Sequence, residues 1–531
     1  MKLRAITVLG LLVTLTVSAG HQQTKQAMLR ATRYMMDSVA YKGGFVWSYL
    51  PDFSRQWGEL EAWRTMVWLQ SPSTPDVGQV LLDAYHATGD EYYYDSACKV
   101  ARCIMHGQHP SGGWNYMFDY ESEDTTRKWY ATIGRQAWRL EEFQHYYGNA
   151  TFDDEATMHC ADFLLRIYLE KKDAAFYDAL EKAIGFVLQS QYANGGWPQR
   201  YPLMYDHPFR GKADYSSFVT INDDVMPRNI EFLTKCYTSL GMKHLKEPIL
   251  RAMHCLRDLQ QPLPLAGWAD QYTVQDLKPA HARSYEPRSV NTGTTVAMIR
   301  QMIAFYQTTG DESYLKGIPN AIRFLESMQL PSEWVAQLGR RPLGEGDIFV
   351  PRFINPDDGK PMYVHRKGSN VANGAYYTDS IPAGTIAHYS SFMTVNPEQL
   401  RQMLREAQGW DQKQLKRLSP LRKAATSGAE DYYYRHPTGK QRRMPVPKVD
   451  EIISSLDAEG RWISVFHQIS HPYQPIPDGM PAESEDHSYG QTMVGDEYDT
   501  SPYENRDVKG ISTRTYIWNM VALINSLRSA K

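Results

Sequence analysis

The chain has 531 residues, a formal net charge of −3 and 12% aromatic residues, including 35 Tyr and 13 Trp. That balance gives no basic footprint for nucleic acid or an anionic membrane, and the aromatic content excludes a disordered chain. It leaves a large folded body whose rings fill a core or stack on sugars.

In chain order, Lys2 and Arg4 precede an apolar run from Ala5 to Val17, and Val17-Ser18-Ala19 offers small residues for cleavage. Residues 1–19 read as a secretory signal, so a secreted or periplasmic protein is expected. The run is shorter than the roughly 20 apolar residues needed to cross a bilayer, and no later segment approaches that length. The five cysteines, Cys98, Cys103, Cys160, Cys236 and Cys255, all fall in helical patterns. Their odd count and spacing fit buried thiols rather than a disulfide framework or a metal site.

A repeat then governs the chain. Leu81-Leu82-x-x-Tyr85 leads to Gly112-Gly113-Trp114, and Leu164-Leu165-x-x-Tyr168 leads to Gly195-Gly196-Trp197, with 29 residues from Tyr to Trp in both. A third copy runs from Tyr237 to Gly267-Trp268 and a weaker fourth from Tyr306 to Trp334; Tyr168, Tyr237 and Tyr306 are 69 residues apart. Inside the copies the apolar spacing is helical, as at Ala97, Ala101 and Ile104 or at Ala179, Ala183, Phe186 and Val187. Thr-Gly-Asp at 88–90 and 309–311 reads as a helix stop and a new N-cap. Each unit is a helical hairpin that must stack on its neighbours, and a 69-residue period is longer than that of common α-solenoids. The predicted fold is all-α: an (α/α) toroid of helical hairpins over 20–395. Residues 396–531 form a C-terminal elaboration, with a closing helix at Ile511–Leu527 that docks back on the body.

Chemistry concentrates at a few places. Asp153-Asp154-Glu155 and Asn222-Asp223-Asp224 lie 69 residues apart, each just before the first helix of its unit. Such acids are common N-caps, but matched positions favour an oxygen-rich site for a hard cation. The turn Asn194-Gly195-Gly196-Trp197-Pro198-Gln199 leaves Trp197 open between packing and stacking on a sugar, whereas Trp114 and Trp268 read as packing. Arg283 has Glu286 nearby as a salt-bridge partner. Arg352 and Arg366 lie fourteen residues apart, and converging guanidinium groups would suit a substrate carboxylate.

At these residues the chain resembles the family-10 pectate lyases over roughly residues 75–370. The resemblance is carried by Asn194-Gly195-Gly196-Trp197-Pro198-Gln199-x-Tyr201-Pro202-Leu203, Asn222-Asp223-Asp224-x-Met226, Ala282-Arg283-x-Tyr285-Glu286-Pro287, and Arg352-Phe353 with Pro361 and Arg366-x-Gly368. It implies an (α/α) toroid that cleaves polygalacturonate, or a related acidic polysaccharide, by calcium-assisted β-elimination. It also implies that Arg283 acts as the base, that Arg352 and Arg366 bind substrate carboxylates, and that Asp153, Asp154 and Asp223 lie in the calcium and catalytic region. Asp153 is accordingly expected to be catalytic, Asp154, Asp223 and Asp224 to bind Ca2+, and Trp197 to touch substrate. This chain departs from the family in carrying Asp153-Asp154 for Asp-Asn, in lacking a lysine before Trp268, and in the Val-His-Arg-Lys-Gly context of Arg366. Two other functions stay open: a glycoside hydrolase using Asp153 and Asp223 as acid and base, and a non-catalytic glycan-binding protein. Nothing demands an oligomer, so a monomer is expected.

Overall fold

The structure is a computed structural model. It describes residues 20–528 apart from 73, 135–140, 205–213, 284, 339, 368–374, 383–384, 387–388, 423–447 and 467–507. The signal segment 1–19 lies outside the described residues.

Among the described residues, four helical hairpins follow one another: Thr74–Thr88 with Glu91–His106, Ala156–Lys171 with Tyr177–Ser190, Val225–Leu240 with Lys246–Asp258, and Thr292–Thr309 with Ile318–Ser327. The stop signals act as the sequence predicts. Gly310 takes a left-handed φ of 67° that ends one helix, and Asp311 accepts a hydrogen bond from the Ser313 N–H to start the next. Gly89 and Asp90 do the same in the first hairpin.

The first helices of the first three hairpins pack in succession, each on the next, and each second helix packs on its own partner. The last helix, Thr513–Arg528, packs on Thr74–Thr88 and so extends the inner row at its beginning. The N-terminal helix over 20–34 joins it there, with Thr32 and Tyr516 hydroxyls 2.9 Å apart. One apolar core runs from Ala27 to Leu527, the expected result when hairpins bury both faces by stacking. The helical toroid predicted from the repeat is thus the observed architecture. All five cysteines are buried and free, and among the described residues no helix is long and apolar enough to cross a membrane.

The Gly-Trp turns join consecutive hairpins. Trp114, Trp197 and Trp268 are fully buried, and each indole N–H donates to a carbonyl of the preceding helix, at Ile104, Val187 and Leu256. Their own carbonyls accept from Thr151, Thr220 and Asn291, the residues that lead into the next inner helix. The glycines make this approach possible. A Cβ on Gly112 would lie 2.2 Å from the Lys182 carbonyl oxygen, and one on Gly195 would lie 2.4 Å from that of Arg251; both have positive φ. The turns therefore seat directly on the backbone of the next hairpin and fix where its inner helix begins.

Short strands decorate this frame. Ala150–Thr151 pairs with Arg200–Tyr201, and Val219–Thr220 with Gln271–Tyr272. After the fourth hairpin, Pro361–Lys367 and Ala375–Asp379 form an antiparallel hairpin. At the far end of the chain, Val508–Ser512 pairs with Ser48–Tyr49.

Candidate active site

The two acidic clusters come together at the ends of the second and third inner helices. Their backbones are copies of one another. Asp154 and Glu155 have φ of 48° and 59°, and Asp223 and Asp224 have φ of 55° and 56°. Two successive non-glycine residues in the left-handed region cost free energy, and such strain gathers at functional sites. Glu155 and Asp224 sit at the N-cap positions, yet neither caps its helix with its side chain. Ordinary helix capping therefore does not explain these acids.

Asp153 is the buried centre. Its carboxylate accepts from Tyr116 Oη at 2.5 Å, from Gln199 Nε2 at 3.1 Å and from Arg283 Nη2 at 2.6 Å. Burial pushes its pKa up, but Arg283 and a hydrogen bond with Asp223 outweigh this and hold it below the ordinary value. Asp154 accepts from Gln70 Nε2 at 2.7 Å; burial and the charge of Asp153 push it up to about 7. Asp223 is raised well above the carboxylate range by burial and by the charges of Asp153 and Asp154. Three carboxyl groups thus share a space that cannot hold three negative charges unaided.

Arg283 is also buried. Its Nε donates to Glu142 at 2.9 Å, and Nη1 lies 3.4 Å from Glu286. Burial works against its charge, but Glu142, Asp153 and Glu286 hold the guanidinium protonated, raised above its usual value. The pairing with Glu286 foreseen from the sequence is real, and it is the longest of the three. Arg352 lines a cavity of about 300 Å3 together with Asp223, Asp224, Asp270 and Asn222, and its Nε donates to the Ser390 carbonyl at 2.5 Å. A second cavity, of about 360 Å3, meets Asp223 and Asp224 from the other side and also includes Asp154. Both volumes suit small-ligand sites.

Two expectations change. Trp197 is no part of either cavity: it is fully buried and bound to Val187, so it packs its turn as Trp114 and Trp268 do. Arg366 pairs with Tyr376 in the strand hairpin, but its side chain lies outside the described residues. Among the described residues, no group of three or more His, Cys, Asp or Glu is arranged to hold a metal ion. Asp154, Asp223 and Asp224 are therefore not a ready-made cage.

Sequence reasoning missed Gln70, Tyr116, Glu142, Gln199 and Asp270. Four of them share a signal. Gln70, Tyr116, Gln199 and Asp270 each lie two residues after a buried tryptophan, at 68, 114, 197 and 268. Each buried tryptophan fixes the backbone of its turn, and the second residue after it lies at or beside the acidic clusters.

Residues 119–302 match the family described as pectic acid lyase. No curated protein matches the chain. Among solved structures, a family 10 polysaccharide lyase from Cellvibrio cellulosa is 18% identical, with 54% of this chain and 84% of that one covered and a TM-score of 0.36. A mutant of that lyase in complex with trigalacturonic acid is 17% identical, with 63% and 99% covered and a TM-score of 0.40. An α-mannanase from Bacteroides thetaiotaomicron is 10% identical, with 96% of both chains covered and a TM-score of 0.35.

Proposed function

From the match of residues 119–302 to the pectic acid lyase family, we propose that this chain is a polysaccharide lyase that cleaves a uronate-containing polymer by β-elimination. The observation that carries the reading is the convergence of Asp153, Asp154 and Asp223 on Arg283, with Asp223 lining both cavities. Elimination removes the proton beside the uronate carboxylate and expels the sugar on the neighbouring carbon, leaving an unsaturated uronide. The barrier lies in the charge that builds on that carboxylate, so positive groups placed in advance lower it.

The site supplies such groups. Arg352 is placed to take a substrate carboxylate through a planar guanidinium. Arg283 is the residue that the family resemblance assigns to proton abstraction. Its three carboxylate partners oppose a neutral guanidine, so that role requires the surrounding negative charge to be matched from elsewhere. Tyr116 and Gln199 fix Asp153, which in turn orients Arg283.

The donor set fits a hard cation. Asp154, Asp223 and Asp224 offer oxygen atoms, and the side-chain amide oxygen of Asn222 beside them is buried with no hydrogen-bond partner among the described residues. We infer that calcium binds there through one or two of these carboxylates, with water or the substrate completing its shell. When bound, it supplies positive charge against the uronate.

A hydrolase would need its two carboxyl groups roughly 5 Å or more apart. Asp153 is instead committed to Arg283, Tyr116 and Gln199, which leaves it poorly placed to act as a hydrolase's acid or base and favours elimination. Incubation with polygalacturonate and calcium is expected to give unsaturated products, read as rising ultraviolet absorbance and abolished by chelator. New reducing ends without that chromophore would identify a hydrolase, and binding without any product a glycan-binding protein. We place the protein in the periplasm or medium, on the strength of residues 1–19, and as a monomer, because one chain supplies every helix of the inner row.

A further inference from the structure

Arg200 is a buried cation without an anion. Its side chain is sealed from solvent, yet among the described residues no Asp or Glu pairs with it. Nη1 donates to the side-chain oxygens of Asn115 at 3.2 Å and Asn149 at 3.4 Å. Nη2 is buried with no hydrogen-bond partner among the described residues. A charge held this way costs stability, and an apolar side chain of the same volume would fill the space better. Packing therefore does not explain an arginine here.

Its neighbours do. The guanidinium lies over two rings, with its central carbon 4.9 Å from the centre of Tyr116 and 4.7 Å from that of Tyr147. Cation–ring contacts strengthen when they are taken out of water, so this one can fix the ring it covers. Tyr116 is the residue that donates to Asp153 Oδ2 at 2.5 Å, and the same oxygen accepts from Arg283 Nη2 at 2.6 Å. Gln199, next to Arg200 in the chain, donates to Asp153 Oδ1 at 3.1 Å. Arg200 itself pairs across the short strands with Thr151, two residues before Asp153. One turn thus grips Asp153 twice, directly through Gln199 and at one remove through Arg200 and Tyr116.

We propose that Arg200 is a positioning residue: its planar face holds Tyr116 on Asp153, and Asp153 so held sets the guanidinium of Arg283. The inference rests on the lyase reading for its kinetic consequence, but the clamp can be tested without it. Arg200→Met keeps the volume and removes an uncompensated charge, so it should fold. Its kcat on polygalacturonate should fall about tenfold or more with KM within about twofold, because the loss lies in the arrangement of the reacting groups. In a Tyr116→Phe background the hydroxyl is already gone, and the same substitution should remove little further kcat. Wild-type kcat in Arg200→Met, or an undiminished further loss in Tyr116→Phe, would overturn the proposal while leaving the lyase reading intact. Arg200→Lys keeps the charge but not the plane, and it serves if Arg200→Met does not fold. A loss of kcat at unchanged KM then supports the clamp, and wild-type kcat overturns it. If the wild-type protein gives no unsaturated product, the lyase reading fails and denaturant unfolding decides the clamp. Non-additive effects of Tyr116→Phe and the Arg200 variant support it, and additive effects overturn it.

Discussion

Arg283 and Asp153, 130 residues apart in sequence, meet at 2.6 Å with both side chains sealed from solvent. A buried charge that loses its partner is left uncompensated, at a cost of about 3–5 kcal/mol. Asp153→Ala is therefore expected to lower the thermal unfolding midpoint sharply and to abolish product formation. Arg283→Lys keeps the charge but not the fork that reaches Glu142, Asp153 and Glu286 together. It should stay folded by calorimetry and lose activity. An Arg283→Lys variant with wild-type kcat would remove Arg283 from the chemistry.

The pH dependence follows from Asp154. Its folded pKa is raised to about 7, whereas an unfolded aspartate titrates near ~3.9. Its contribution to stability is full below that unfolded value and is lost as pH rises through about 7. With chelator present, the unfolding midpoint should fall between about pH 4 and 7, and Asp154→Asn should flatten the slope. Because calcium and protons compete for the same oxygens, calcium affinity measured by calorimetry should rise over that interval.

Trp197 should behave as core. Trp197→Ala leaves a cavity under the second turn and is expected to cost about 3–5 kcal/mol in denaturant unfolding. The ratio of kcat/KM between substrates should not move. A changed ratio with little loss of stability would return Trp197 to the substrate groove.

Two glycines offer a matched comparison. Gly89→Ala meets open space and carries only the penalty of positive φ, about 1 kcal/mol. Gly195→Ala carries that penalty and also drives a methyl group against the Arg251 carbonyl. It should unfold at clearly lower denaturant than Gly89→Ala; equal midpoints would show that the turn does not seat on the next hairpin.

The hairpins were legible because Ala179, Ala183, Phe186 and Val187, like Ala97, Ala101 and Ile104, mark one buried helix face, and because Gly310-Asp311 is a local stop signal. Asp153-Asp154 and Asp223-Asp224 were legible because a 69-residue period carries position from one unit to the next. Their left-handed backbone was not, since nothing local requires aspartate to adopt it. Glu142 was invisible for a different reason: it reaches Arg283 across 141 residues and belongs to no repeat. Trp197 misled because its turn is rich in polar neighbours, and a turn does not say which side of it faces inward. Gln70, Tyr116, Gln199 and Asp270 could have been found by counting two residues on from each anchor.

The strand pair Ser48–Tyr49 with Val508–Ser512 has a consequence for when the molecule becomes competent. The Thr513 N–H and hydroxyl bind the carbonyls of Trp47 and Val46, the latter across 467 residues. The backbone that carries Trp47 is therefore held from two sides, by Trp57 close in sequence and by Thr513 far from it. Contacts so distant in sequence form late, so a nascent chain can assemble its hairpins while the Trp47 wall of the second cavity is still half-made. Removing Val508–Ser512 and the helix behind it would leave one edge of the strand next to Trp47 unpaired and bare the first inner helix.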